Sequence, residues 1–506
     1  MKIKFSQRTF ISFIILFIIA IFYTYGFIKH YQDESIWVDG YGYLMGGWWL
    51  IEEHSFTLRL MKTQAYIPAL IIGIFQQISD PYFAGKLMNY VYMLLSIVVV
   101  YLLGRELKDE NAGYFASAVF LSIPVVYYLF KRSLVDFPLA VMYGFTTYFY
   151  IRYLKERSLK YAVLTGITAG FTLLTKSAGI FVIGIIGLHL LITQGKKAFY
   201  DKHNYWLIGS YFLTVAPLII MNLLRFKKPI VAPNSFTAIA FKAPDYLYYL
   251  RLETIKYYAS FPLFLLGMYG LYWLWKKHRS VAYYVLMYVL LYGFAFSIVK
   301  YQDPRFFTPI SLIVALLSGV ALSVLYEGES LIRKSFTLLI LVIIVVWNVS
   351  DGELLVLSKS NAYTGYRDLE PYFLKEGNNN SMAFVSSEWT MEFVTREFYD
   401  NPLRQVDNLP KNFEDLQNYV NECLNHYEVC YLQIDFWEPT QPSYVSSWIN
   451  ELRQHYKGME EDIVSLPTIQ KLESLGFELV KVVYRNVGFA SQQVKIPVVL
   501  LFEIKK

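Results

Sequence analysis

Apolar positions along this chain come in long runs, not in the spaced pattern of helices that cover a soluble core. From residue 9 to about residue 349 these runs recur near the length that crosses roughly 30 Å of hydrocarbon, and none follows. The pattern predicts about eleven membrane-spanning helices, at roughly 9–29, 86–103, 114–130, 137–153, 161–175, 178–194, 205–221, 260–275, 282–299, 307–325 and 336–349. Beyond them the pattern changes to short strands and amphipathic segments: MAFVSS, a helical stretch around Glu388–Tyr399, Phe413–His426, VCYLQID, Tyr444–Tyr456, FELVKVVY and IPVVLLFEI. This predicts a small α/β domain with a mixed sheet. The expected division is a transmembrane domain over 1–350, with a first outer loop at 30–85, and a soluble domain over 351–506. Within that loop, Tyr41–Ile51 and Gln64–Ile78 read as short helices in the membrane interface, with Trp37, Trp48 and Trp49 at headgroup depth.

Composition agrees with a polytopic α-helical membrane protein: 55% of residues are hydrophobic and 17% charged, more apolar surface than a water-soluble fold covers. Charge then orients it. From Ser350 onward there are 23 Asp/Glu and 14 Lys/Arg, a net −9, so the preceding part carries +15 of the overall +6. Short basic loops fall at alternate connections: Lys2/Lys4/Arg8, Arg105/Lys108, Arg152/Lys155/Arg157/Lys160, Lys196/Lys197/Lys202, Lys276/Lys277/Arg279 and Arg333/Lys334. Such loops mark the cytoplasmic side, which puts the amino terminus inside and the acidic tail outside. The first segment has basic residues before it, but is longer than a signal h-region and lacks a small-x-small site, so it reads as an uncleaved helix. Cys423 and Cys430, the two cysteines, are compatible with a bridge from a helix end to the next strand or with a free pair. The tail contains no Gly-rich phosphate loop, HExxH or metal-spaced cluster. No nucleic-acid partner is implied.

With the sides assigned, the unusual ionisable residues gather at outer helix ends. Asp33 and Glu34 follow the first helix, Lys62 sits in the long first loop, and Lys131, Arg132 and Asp136 fill KRSLVDFPLA. Lys176 interrupts two helices in LLTKSAG, and Lys300, Asp303 and Arg305 lie in VKYQDPRFFTP. An ionisable group near hydrocarbon is costly unless paired or facing water, which makes each a functional candidate. Plainer readings stand beside this: Asp136 as a helix cap paired with Arg132, Asp33 and Glu34 as a solvated pair, Lys176 as a snorkelling anchor. Carboxylates and cations at one membrane surface suit transfer of a sugar from a lipid phosphate. That reaction needs a base for the acceptor hydroxyl and cations for the departing phosphate. Lys62, Arg132 and Arg305 are the cations placed for this, Arg suiting phosphate by its bidentate fork.

The order of these features resembles the polytopic C-type glycosyltransferases that use polyprenyl-phosphate sugars. It is similar in particular to protein O-mannosyltransferases and the lipid A aminoarabinose transferase. The likeness covers about residues 9–310: the Asp33-Glu34 pair, the Lys62-x-x-x-Tyr66 step, LLGREL (102–107), RSLVDFPLAVMYGF (132–145), GITAGFTLLTKSAGIFVI (166–183) and the Arg305-Phe306 step before Pro309. The resemblance implies a C-type glycosyltransferase fold and a dolichyl- or undecaprenyl-phosphate sugar donor. It further implies Asp33 as the base at the transfer centre, Glu34 beside it, Asp136 supporting the cavity, and Lys62 and Arg305 toward the donor phosphate; Arg132 and Lys176 are further candidates for that phosphate by their place at the outer helix ends. A divalent ion is used by some members and not by others; Asp33 and Glu34 are its candidate ligands. The Asp-x-Asp loop and Trp-Trp-Asp-Tyr-Gly signature of the oligosaccharyltransferase branch are missing, which disfavours bulk oligosaccharide transfer to asparagine. Acceptors of the expected enzyme are protein, lipid or glycan. Two other classes compete: a transporter or lipid flippase, which would carry charges near the bilayer midplane where the predicted helices have almost none, and a non-catalytic membrane scaffold.

Overall fold

The computed structural model of the chain describes residues 14, 17–18, 20–21, 23–28, 38–51, 65–227, 247–298, 302–358, 365–373, 381–386, 403–436, 442–455, 461–487 and 494–506. It divides into two compact units, Met1–Gln32 with Gly46–Val356, and Asp33–Met45 with Leu357–Lys506.

The larger unit is helical. Described residues between 14 and 28 are helical, and the segments expected as short helices form α1 (Val38–Ile51), whose residues up to Met45 group with the smaller unit, and α2 (Tyr66–Gln76). There follow α3 (Pro81–Leu107), α4 (Glu110–Ser122), α5 (Pro124–Phe130), α6 (Asp136–Glu156), α7 (Leu159–Thr175), α8 (Ile180–Gln194) and α9 (Lys202–Phe226). The series ends with α10 (Leu252–Tyr258), α11 (Phe261–Lys277), α12 (Arg279–Ser297), α13 (Thr308–Tyr326) and α14 (Leu331–Ser358). Among the described residues, six helices are long and apolar enough to cross a membrane, seven if the α4–α5 pair is one span. That pair corrects the straight helix expected over 114–130. It bends by 68° at Ile123, whose extended backbone (φ −56°, ψ 129°) is the conformation that the ring of Pro124 imposes on the residue before it. Trp49 is also unlike an interfacial anchor, being buried in protein, and Trp37 lies outside the described residues.

The span ending in α13 is the central one, 89% of its apolar window being covered by protein, against 28% for the spans of α9 and α14. The outer helices turn large apolar side chains such as Leu213, Leu224, Phe294 and Trp347 outward, as helices bathed in hydrocarbon do. The basic loops meet at one end of this unit. Arg152 and Lys155 both pair with Glu106, at 3.2 and 2.9 Å, Lys108 pairs with Glu327 at 2.6 Å, and Arg157 lies 3.8 Å from Asp201. In the same cluster Asp109 caps α4. Burial acts to raise its carboxyl, but hydrogen bonds from Lys108, the Ala112 amide and Ser323 outweigh that and hold it below the usual carboxylate range.

The smaller unit carries a five-stranded sheet of order β2-β1-β3-β5-β4, formed by β1 (Ser381–Val385), β2 (Leu403–Asn408), β3 (Val429–Asp435), β4 (Glu478–Val487) and β5 (Val494–Lys505). β1 runs parallel to β2 and β3, while β5 is antiparallel to β3 and β4, the mixed sheet expected. Phe384, Leu432 and Phe502 come into register on one face. They form a core there with Leu416 and Val420 of α15 (Phe413–His426), Trp448 of α16 (Ser443–His455) and Leu472 of α17 (Pro467–Ser474). Cys423 and Cys430 are joined by a disulfide that ties α15 to β3. The helix expected around Glu388–Tyr399 lies outside the described residues.

Candidate active site

The turn KRSLVD is shaped from beneath by α3. Gly85 lets α3 approach so closely that a Cβ there would stand 2.5 Å from the Ser133 side chain, and no larger residue fits without moving the turn. One helical turn on, the Asn89 amide donates to the carbonyls of Leu129, at 3.0 Å, and Arg132. One carbonyl near the end of α5 and one in the turn after it are thus held from α3.

At the far side of this turn α6 begins. Val135 is its N-cap, with no side-chain cap, and Asp136 is the first helical residue, so the expected capping role of Asp136 is not what the structure holds. Its partner is not Arg132 either. Lys176 Nζ donates to Asp136 Oδ1 at 2.6 Å, across forty residues of sequence. Lys176 reaches it because the chain becomes extended there (φ −163°, ψ 146°), which breaks the α7–α8 run as LLTKSAG suggested. The Asp136 carboxylate is 3% exposed and the Lys176 side chain 19%, so the pair has one buried and one accessible end. Asp136 Oδ2 is buried without a hydrogen-bond partner. Of the three N–H donors on Lys176, Asp136 takes one.

A third element closes on the pair. Asp303 caps the turn Pro304–Phe307, accepting from the Arg305 amide at 2.9 Å, and its carboxylate lies 3.7 Å from Arg305 Nε. Tyr292 donates to the Phe306 carbonyl at 3.0 Å and Tyr249 to that of Asp303 at 3.3 Å, while the Tyr249 ring stacks on Phe307. These contacts pin Phe306 so that its ring lies 5.3 Å from Lys176 Nζ and 5.2 Å from the Arg305 guanidinium carbon. Two cations thus share one aromatic ring. Arg132 is buried, with its guanidinium over Tyr128, which stands within electrostatic range of Arg132, Asp303 and Arg305. Lys131 turns the other way, onto Glu353 of α14 at 2.8 Å, where Tyr127 also donates at 2.7 Å.

Of the residues singled out by sequence, Asp136, Lys176, Arg132 and Arg305 therefore belong to one neighbourhood. Asp33, Glu34, Lys62 and Lys300 lie outside the described residues. Sequence reasoning missed Phe306 as the shared ring and Glu353 as the partner of Lys131. The apolar run ends near 349, whereas α14 continues to Ser358. An acidic residue one turn past an apolar helix was the signal available. Among the described residues no group of three or more His, Cys, Asp and Glu side chains is arranged to hold a metal.

These observations define a polytopic helical unit with a charged cluster at one end of its helices, joined in sequence to a small α/β unit. Known proteins share the fold. Residues 63–221 match the family model described as dolichyl-phosphate-mannose-protein mannosyltransferase. ArnT from Cupriavidus metallidurans, solved bound to undecaprenyl phosphate, superposes with a TM-score of 0.61 at 13% identity, covering 95% of this chain and 97% of its own. The archaeal oligosaccharyltransferase AglB from Archaeoglobus fulgidus, in complex with an inhibitory peptide and a dolichol-phosphate, gives 0.53 at 14% identity over 88% of this chain and 72% of its own. The arabinofuranosyltransferase AftD from Mycobacteria gives 0.54 at 12% identity, over 94% of this chain and 40% of AftD. Among curated protein sequences no significant match was found. The chain has the C-type glycosyltransferase fold; at these identities the likeness is one of fold.

Proposed function

We propose that this protein is an integral-membrane glycosyltransferase. It moves a sugar from a polyprenyl-phosphate donor to a protein, lipid or glycan acceptor on the outer membrane face. The observation that carries the reading is the Lys176–Asp136 pair beside Arg305, two cations on one ring at the membrane-facing end of a fold shared with a structure holding undecaprenyl phosphate. Sidedness is supported by the ion-paired basic loops at the opposite ends of the same helices. With those loops inside, the charged cluster and the α/β unit are outside.

In this mechanism Asp33 takes the proton of the acceptor hydroxyl as its oxygen attacks the anomeric carbon of the donor. The bond from that carbon to the phosphate oxygen breaks with inversion, and the electron pair leaves on the polyprenyl phosphate. The departing phosphate gains one negative charge, which Arg305 and the spare donors of Lys176 meet, together with Lys62 and Arg132. Asp136 holds Lys176 aimed through their ion pair. Glu34 lies beside the base, and with Asp33 forms the candidate ligand pair should a divalent ion take part.

The test uses purified protein in lipid nanodiscs, a panel of radiolabelled polyprenyl-phosphate sugars and native membrane extract as acceptor. Transfer by wild type, reduced by at least about a thousandfold in Asp33→Asn, is the expected result. Transfer that survives Asp33→Asn removes that residue as the base. No donor binding or transfer across the panel would favour a transporter or a silent scaffold.

A further inference from the structure

The second face of the sheet in the smaller unit is unlike the first. Alternation along β3 sends Leu432 and Ile434 into the helix-covered core and Tyr431, Gln433 and Asp435 to the other side, where all three are buried. A buried carboxylate at a strand end is expensive unless it is held by donors. Here the Tyr366 hydroxyl donates to Asp435 Oδ2 at 3.0 Å and Gln433 Nε2 at 3.1 Å. The Asp435 amide donates to Ser386 Oγ, and the Ser386 amide to Gln433 Oε1, so the network spans the carboxyl ends of the parallel strands β1 and β3. Tyr366 is delivered by Gly365, whose φ of +95° suits only glycine and whose absent side chain leaves room for Val483. Arg485 of β4 then ties the following turn down through Asp368 at 2.5 Å.

What this network holds is not part of the carboxy-terminal sequence. The Tyr366 ring packs edge-on against Tyr41, centroids 6.0 Å apart at 81°, and both rings are buried. Tyr41 belongs to the segment that groups with the smaller unit and stands eight residues after Asp33. We infer that the α/β unit clamps the segment following the Asp33–Glu34 pair, with Tyr366, braced by Asp435, as a positioning residue for that pair through Tyr41. The inference deepens the proposed function, since it rests on Asp33 being the base. It assigns the carboxy-terminal unit a task in the transfer step itself: a base that must meet an acceptor hydroxyl within hydrogen-bond reach needs a segment that does not wander.

The experiment uses the full-length protein in nanodiscs with Tyr366→Ala, Tyr366→Phe and Tyr41→Ala, read by hydrogen exchange over residues 38–45 and by transfer kinetics. Tyr366→Ala is expected to speed exchange of that segment about tenfold or more. It is also expected to lower kcat by about tenfold with the donor KM changed less than about twofold. Tyr366→Phe, which keeps the ring but removes the donor to Asp435, is expected to fall between wild type and Tyr366→Ala in both. Tyr41→Ala removes nothing from the sheet and is expected to reproduce the alanine result while exchange in β3 and β5 stays as in wild type. Unchanged exchange over 38–45 in both alanine variants would overturn the clamp, and faster exchange with wild-type kcat would overturn the positioning role. If wild type transfers no sugar from any donor, the functional reading fails on its own and the exchange result still decides the clamp.

Discussion

At the scale of single residues the pair Asp136–Lys176 is the ion pair around which the candidate site is arranged. Both were visible in the sequence as ionisable groups at the ends of apolar runs, but their pairing was not. Arg132, four residues before Asp136, was the nearer candidate, but its guanidinium lies over Tyr128 instead. Removing one member of a buried pair leaves the other charge uncompensated, at a cost of about 3–5 kcal/mol for full burial. Lys176 is partly accessible, so Lys176→Met is expected to lower unfolding stability by about 2–3 kcal/mol, measured by thermal unfolding in nanodiscs, and to reduce donor affinity. The double variant Asp136→Leu/Lys176→Met is expected to recover the stability and not the transfer. Equal loss in both variants would mean that the pair contributes packing and no charge compensation.

At the scale of elements, hydrophobic run length located the helices because each must satisfy its own backbone polar groups in hydrocarbon. It said little about how they break. Pro124 stood in plain view inside the run 114–130, yet its effect there was a matter of context, since a proline in a membrane helix can be absorbed or can turn the chain. Here it turns the chain and hands the KRSLVD turn to α3. The dependence is testable at Gly85, where alanine would meet Ser133 at 2.5 Å. Gly85→Ala is expected to destabilise the unit by about 1–3 kcal/mol, the usual cost of overpacking, and to cut transfer more than tenfold. Gly85→Ala/Ser133→Gly is expected to regain most of both, by the same unfolding and transfer assays. In the α/β unit, β1, β3, β4 and β5 were legible as β-rich runs. β2, LRQVDN, was not, because a polar edge strand beside β1 has no apolar alternation to betray it.

At the scale of the whole molecule, two units are built on different accounts. The helical unit needs a bilayer to cover its outer faces, whereas the smaller unit has a water-soluble core stapled by Cys423–Cys430. Chain-entropy reasoning for so short a loop gives the bridge about 2.5 kcal/mol. Cys423→Ser/Cys430→Ser is therefore expected to lower the unfolding midpoint of the smaller unit by several degrees, seen by hydrogen exchange in β3 and α15. Transfer at low temperature is expected to stay near wild type. Loss of transfer without loss of protection would make the disulfide part of the site.

The sequence by itself determined that this is a membrane protein, where nearly every helix lies, that a mixed α/β unit follows, and which ionisable residues deserved suspicion. These follow from local constraints: backbone hydrogen bonding in hydrocarbon, strand alternation and the cost of charge near lipid. The tertiary structure alone decided which carboxylate meets which cation, that Phe306 links Lys176 to Arg305, that Lys131 serves Glu353, and that Tyr366 reaches Tyr41. Such pairings join residues tens to hundreds of positions apart, and no local pattern encodes the packing that brings them together.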